Sequence, residues 1–201
     1  ENIARLCSDS STLIYISTDQ VYGLGDDHSE TAKNINPINQ YGKTKLKAEF
    51  KVRQLCSNHI IVRTNIFGWN TKPKKISFAE WIYFSLRKNL EIKLFSDLYY
   101  SPIYNDELAK ILLKLIELNF VGTINIGSDI KCSKYDFGLK FAKEFGLDES
   151  LISKEILANH NFFAPRPTDL TLNLERLQNL GINIPSYKKS IQEMSKFNNL
   201  K

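Results

Sequence analysis

Two short runs rich in β-branched residues, with a helix between them, constrain this chain more than any other feature. Thr12 to Ser17 (Thr-Leu-Ile-Tyr-Ile-Ser) and His59 to Arg63 (His-Ile-Ile-Val-Arg) show no in–out alternation. Strands of that kind are buried on both faces, as in a parallel sheet. Tyr41 to Cys56 reads as a helix, with Leu46, Phe50 and Leu55 as candidates for one apolar side. Parallel neighbours need a crossover of about this length, and a right-handed one is the rule. The expected fold class is α/β.

The texture changes after Gly68, and the best boundary lies near residues 68 to 77. Ser77-x-x-Glu80 reads as a capping box opening a helix that carries Trp81, Tyr83 and Phe84, expected to pack in the core or an interface. Glu91 to Phe95 suits a short strand. Asn105 is the expected cap of a helix running to Leu118, Gly122 to Gly127 a strand, and Ser133 the cap of a helix from Lys134 to Phe145. Shorter helices are expected at Asn173 to Leu180 and Tyr187 to Phe197.

Composition narrows the function classes. With 42% hydrophobic and 24% charged residues among 201, the chain is neither disordered nor collagenous, and no apolar run is long enough for a bilayer. Lys and Arg number 27 against 22 Asp and Glu, but they are scattered, so neither nucleic acid nor membrane is an expected partner. The one cluster, Lys72-Pro73-Lys74-Lys75, reads as a solvated loop, with attraction of an anionic substrate as the sharper reading. Three cysteines (Cys7, Cys56, Cys132) suit buried positions in a reducing, cytoplasmic setting. His28, His59 and His160 lack ligand spacing, so no metal is expected, and Asp136-Phe137-Gly138 stands without any other kinase element.

The chemistry concentrates around the first strand and the helix after it. Tyr41 and Lys45 stand four apart at the helix start, over one patch of its surface. A nearby ammonium favours phenolate, which suits a tyrosine for acid–base work. The strand ends in Ser17-Thr18-Asp19-Gln20-Val21-Tyr22-Gly23, with hydroxyls at its carboxyl end, the edge where open α/β sheets bind ligands. Thr18 could bond a substrate carbonyl while Tyr41 moves the proton.

Ser-Thr-Asp-Gln-Val-Tyr-Gly, then Tyr-Gly-Lys-Thr-Lys, then His-Ile-Ile-Val-Arg-Thr-Asn-Ile-Phe-Gly, in that order, resembles the extended short-chain dehydrogenase/reductase superfamily, the NAD-dependent epimerase/dehydratase group. The likeness is greatest to its dTDP-4-dehydrorhamnose reductase branch, and covers essentially the whole chain. Downstream, Ser101 to Ala109 resembles the opening of a substrate-domain helix, and Arg166-Pro167-x-Asp169-Leu170 the segment near the sugar-nucleotide pocket. The resemblance implies the C-terminal part of a Rossmann-like doubly wound parallel sheet plus a smaller α/β substrate-binding lobe, divided into residues 1–70 and 71–201. It implies Thr18, Tyr41 and Lys45 as catalytic residues, and Ser17, Tyr41, Lys45, Thr64 and Ile66 as contacts for NADP or NAD. Asp19, Gln20, Asn65 and Arg166 would meet a nucleotide-diphosphate sugar, with turn-residue and salt-bridge roles as the rivals for Asn65 and Arg166. A homodimer is also implied.

The implied reaction is NAD(P)-dependent reduction of a nucleotide-linked 4-keto-6-deoxy sugar for polysaccharide synthesis. Dehydratases of the superfamily carry a glutamate after Thr-Asp; Gln20 stands there and cannot accept a proton. An epimerase or dehydratase of the same substrates, and a non-catalytic binding or regulatory homologue, are the alternatives. Two departures stand out. Phe67 and Trp69 fall slightly later than the aromatic that packs on the sugar in rhamnose-forming reductases. The glycine-rich phosphate turn is missing: Gly23-Leu24-Gly25-Asp26-Asp27-His28 has two glycines of three and follows the wrong strand. With no initial methionine, and with Asn2 to Cys7 reading as the tail of a helix, the chain is expected to be the C-terminal part of a longer protein. By itself it would then bind cofactor poorly and leave a sheet edge open.

Overall fold

The computed structural model describes residues 2–7, 11–24, 27–33, 35–70, 75–160 and 164–197. Lys72 to Lys74 of the basic cluster, and Gly25 and Asp26, lie outside the described residues.

The chain opens with α1 (Asn2–Leu6) and β1 (Leu13–Ile16), then a single 3-10 turn over Asp19–Val21. Next come α2 (Gln40–Leu55), β2 (His59–Thr64), β3 (Ile66–Phe67) and α3 (Phe78–Arg87). The middle holds β4 (Ile92–Phe95), β5 (Tyr99–Tyr100), β6 (Ile103–Tyr104), α4 (Asn105–Glu117) and β7 (Gly122–Ile126). The last third holds β8 (Cys132–Ser133), α5 (Lys134–Glu144), β9 (Ile152–Glu155), β10 (Asp169–Leu170), α6 (Glu175–Asn179) and α7 (Tyr187–Lys196).

One parallel sheet runs β1-β2-β7, Ile14 opposite Ile60 and Val62 opposite Ile124. Ile60, Val62, Ile124 and Ile126 pack with Leu108, Ile111 and Leu115 of α4 and Leu177 of α6. The α/β class and the parallel strand–helix–strand unit therefore stand as expected. A cut at residue 70 does not describe this sheet. β7, assigned by that cut to the second lobe, hydrogen-bonds to β2, because Ile124 and Ile126 complete the apolar face that α4 covers.

The second core is aromatic. Phe137 and Phe141 of α5 pack with Tyr83 of α3, Phe67, Tyr100 and Tyr104, and with Ile191 and Met194 of α7. Short sheets β10-β5-β8, β3-β6 and β4-β9 frame it. The expected capping box of Ser77 with Glu80 forms, and Ser133, expected as a cap, forms a full capping box with Asp136. Asn105 does not cap α4: Tyr104 holds that position without a side-chain bond, and Asn105 is the first helical residue.

α2 departs from its expected face at Phe50, while Leu46 packs against Val21, Tyr22 and Leu172 as expected. Phe50 is 60% exposed, and the buried residues are Gly42, Glu49 and Val52. The helix packs a carboxylate against the sheet because β2 presents Arg63 beneath it. Gly23 has φ +69°, and a Cβ there would lie 1.8 Å from the Asn36 carbonyl oxygen. This glycine serves close chain approach, bridging to Asn36.

Candidate active site

β1 aims its carboxyl end at the site. Thr18 caps the 3-10 turn, its Oγ1 accepting from the Gln20 N–H at 3.3 Å. The same hydroxyl donates to Asp19 Oδ1 at 2.9 Å, and Asn65 Nδ2 donates to Asp19 Oδ2 at 2.7 Å. Asp19 is fully buried. Burial pushes its carboxyl above the ordinary range, while the bonds from Asn65 and Thr18 and the charge of Lys134 pull it back.

α2 meets this turn at close quarters. Asn39 caps the helix, its Oδ1 accepting from the Gly42 N–H at 2.9 Å. Its Nδ2 donates to Gln20 Oε1 at 2.8 Å and to the Pro165 carbonyl at 3.2 Å. A Cβ on Gly42 would lie 2.6 Å from the Gln20 carbonyl oxygen, so the glycine sets how near the helix comes. Tyr41 is 52% exposed. One turn on, Lys45 Nζ donates to the Ile16 carbonyl at 2.9 Å and lies 6.0 Å from the centre of the Tyr41 ring. The expected single face for Tyr41 and Lys45 is formed, against the end of β1.

A further turn along α2, Glu49 is wholly buried and Arg63 is 1% exposed. Glu49 accepts from Arg63 Nε at 3.1 Å, from Arg63 Nη2 at 2.7 Å and from Ser17 Oγ at 2.5 Å. Arg63 Nη1 donates to the Tyr22 hydroxyl at 3.0 Å, which donates to Asn125 Oδ1 at 2.8 Å. Burial opposes the guanidinium charge, but the Glu49 and Tyr22 contacts outweigh it and raise the Arg63 pKa. Burial pushes the Tyr22 phenol up to about 12.

Between α2 and the second core lies a cleft of about 360 Å³, lined by Gln20, Asn39, Tyr41, Asn65, Lys134 and Arg166 among others. The profile of the RmlD substrate binding domain matches residues 1–199. The chain belongs to the RmlD substrate binding domain family. A Haloferax volcanii relative, the probable low-salt glycan biosynthesis reductase Agl14, is 27% identical over 195 residues, covering 94% of this chain and 65% of that protein. The structure of dTDP-4-dehydrorhamnose reductase from Bacillus anthracis in complex with NADP matches with a TM-score of 0.87 at 26% identity, covering 96% of this chain and 68% of that one. Methionine adenosyltransferase 2 subunit beta of Danio rerio is 24% identical over 192 residues, covering 91% of this chain and 59% of that protein. The chain thus spans less than two thirds of both curated relatives.

In this RmlD-family chain the structure brings Gln20, Tyr41, Asn65 and Arg166 to one cleft, with Thr18 and Asp19 buried beside it. Asn65 acts through its side chain on Asp19 rather than on turn backbone. Ser17 does not face the cleft: it is 4% exposed and its hydroxyl is held by Glu49, because α2 lays that carboxylate over the strand end. Phe67 is core, and Trp69 packs on Tyr83 and donates to the Met194 carbonyl, so neither reaches the cleft. Thr64 is buried with its Oγ1 lacking a partner among the described residues, and Ile66 is exposed close by. An orphan hydroxyl beside exposed apolar surface fits the nicotinamide end of a dinucleotide. No described helix is long and apolar enough to cross a membrane.

Among the lining residues that sequence reasoning missed are Asn39 and Lys134. A polar residue just before a helix is a cap signal, and it could have found Asn39. Lys134 follows its own cap, Ser133, and carries no comparable signal.

Proposed function

We propose that the protein reduces a nucleotide-linked 4-keto-6-deoxy sugar at the expense of NADPH or NADH, in the manner of a dTDP-4-dehydrorhamnose reductase, in the cytoplasm. The observation that carries this reading is the Tyr41–Lys45 face of α2 standing over the end of β1, open to a cleft of polar side chains. The names of the relatives support the substrate class. NAD(P)H, when bound, supplies a hydride; Lys45, Thr64 and Ile66 are the residues that would hold its nicotinamide end.

The rest is the work of the chain. Tyr41 gives its phenolic proton to the ketone oxygen as the carbon becomes a secondary alcohol, and solvent returns the proton. Lys45, anchored by the Ile16 carbonyl, sets a positive charge near the ring to stabilise the phenolate left behind. Thr18 orients the carbonyl. Its proton is directed at Asp19 in this structure, so donation toward substrate requires Asp19 to carry the proton instead, with Thr18 then accepting from it. Asn39 and Gln20, bonded to each other, shape the sugar pocket.

The test follows NAD(P)H oxidation by the full-length protein with a dTDP-4-keto-6-deoxy sugar. Tyr41→Phe is expected to lower kcat at least ~10²-fold, the scale of general acid catalysis. Equal rates in the two proteins would overturn the reading. Gln20 argues against a dehydratase, which needs a proton acceptor there. A binding subunit is the second reading, prompted by the likeness to the methionine adenosyltransferase subunit. Sugar-nucleotide binding without turnover is its signature.

A further inference from the structure

Lys134 is a cation without an acceptor. It is the first residue of α5, half-buried, with Nζ 3.4 Å from the centre of the Tyr100 ring and 4.6 Å from that of Phe78. Its ammonium makes no hydrogen bond or ion pair among the described residues; only the backbone N–H is bonded, to the Leu98 carbonyl at 3.2 Å. Three features raise the cost of holding an ammonium there. Burial strips water from it. The helix N-terminus beside it is itself positive. Arg166, on the same cleft, adds a like charge. Asp19 and Cys132 also face Lys134; Asp19 is already bonded to Thr18 and Asn65, and Cys132 is a thiol pushed up to about 12 by burial. The outcome is a lysine lowered to about 8, mainly by burial. Aromatic faces offset a little of this cost, yet they are no replacement for an anionic acceptor.

Two cations converging on one cleft from separate elements, α5 and the Pro165–Pro167 segment, match an anionic phosphate of a diphosphate better than a sugar hydroxyl. We propose that Lys134, together with Arg166, grips the sugar-linked phosphate of the nucleotide-sugar and so fixes the sugar against Tyr41. This rests on the reductase reading for the identity of the ligand. It assigns Lys134 a binding role in that site, with the second lobe supplying the phosphate grip and α2 the proton donor.

Calorimetry on the full-length protein tests it, with dTDP as the probe and dTMP, which lacks the second phosphate, as its partner. Lys134→Met is expected to weaken dTDP binding roughly tenfold or more at pH 7, the scale of one charge-assisted hydrogen bond, and dTMP binding by no more than about twofold. Lys134→Arg keeps the charge and is expected to bind dTDP within about threefold of wild type, since an arginine stays protonated. Raising the pH from 7 to 9 is expected to weaken dTDP binding in wild type as Lys134 loses its proton, and to leave Lys134→Arg flat. Phosphate itself is already ionised across that range. Unchanged dTDP affinity in Lys134→Met overturns the proposal, as does equal weakening of dTDP and dTMP. Either result leaves the reductase reading intact if Tyr41→Phe still abolishes turnover. Conversely, turnover that survives in Tyr41→Phe overturns that reading while the phosphate grip stands on its binding data. A wild type that binds no dTDP overturns both.

Discussion

Two pairs of opposite charge, one within the first sheet and its helix and one reaching across to α5, are treated in opposite ways. Glu49 and Arg63 are sealed from solvent and satisfied by each other, by Ser17 and by Tyr22. Asp19 and Lys134 influence each other's ionisation but make no direct bond, and the ammonium opens on a cleft. A closed pair welds elements together: here α2, carrying Tyr41 and Lys45, to the ends of β1 and β2. An open pair leaves charge in reserve for a ligand. The difference separates scaffold from site more cleanly than burial does, since Asp19 is as buried as Glu49.

The largest effect should come from breaking the closed pair on one side only. Glu49→Leu strands a buried guanidinium, and a loss of about 3–5 kcal/mol in denaturant stability is expected. The double change with Arg63→Met should recover most of it. If the single change cost no more than the double, the pair would not be the weld described here. Next is Gly42→Ala, which pushes a methyl at the Gln20 carbonyl and so moves the turn bearing Asp19 against the helix bearing Glu49. We expect about 1–3 kcal/mol of destabilisation, the usual scale of overpacking, with a fall in kcat. Unchanged activity would show the two pairs to be mechanically independent.

Breaking the open pair should have the opposite sign. Lys134 sits at about 8 against an ordinary 10.5, so between those values the folded chain binds fewer protons than the unfolded one. Wild-type stability should therefore rise with pH across that window, and Lys134→Met should lack the rise. At pH 7, without ligand, the variant is expected to be more stable by on the order of 1 kcal/mol, allowing for solvent screening. The smallest effect is expected from Asp19→Asn. Its folded pKa is raised, so wild-type stability declines as pH climbs from the ordinary carboxylate value through the folded one. Asparagine removes that decline, and its Nδ2 can donate to Thr18 as a protonated carboxyl would. Retained turnover in Asp19→Asn, with loss in Asp19→Ala, is the outcome that supports the proton arrangement drawn for Thr18.

Much of the scaffold was legible because its signals are local. The β-branched runs, the helix between them, the Ser77 capping box and the Ser133 cap each lie within a few residues, and the Tyr41–Lys45 spacing is a property of one helical turn. What escaped depends on partners distant in sequence. Phe50 falls on the apolar period of α2, yet Arg63 on the strand below calls for Glu49 on the buried face instead. Gly-Thr-Ile-Asn-Ile-Gly reads as a buried strand in any sheet, and nothing in it says that its neighbour is β2. Ser17 lies among site hydroxyls in sequence but faces the weld. Lys134 looks like any helix-terminal lysine until Tyr100, Phe78 and Arg166 are placed around it.

The return of β7 to the first sheet has a consequence for synthesis. β1, α2 and β2 leave the ribosome before β7, so Val62 and Ile60 stay without that neighbour until residues 65–121 have emerged. Those intervening residues build part of the aromatic core, whose other members, Phe137, Phe141, Ile191 and Met194 among them, arrive later still. Neither core can finish before the other has begun, so folding here is interleaved rather than vectorial. Such non-local pairing slows folding and lengthens the time for which apolar strands stand open to wrong partners.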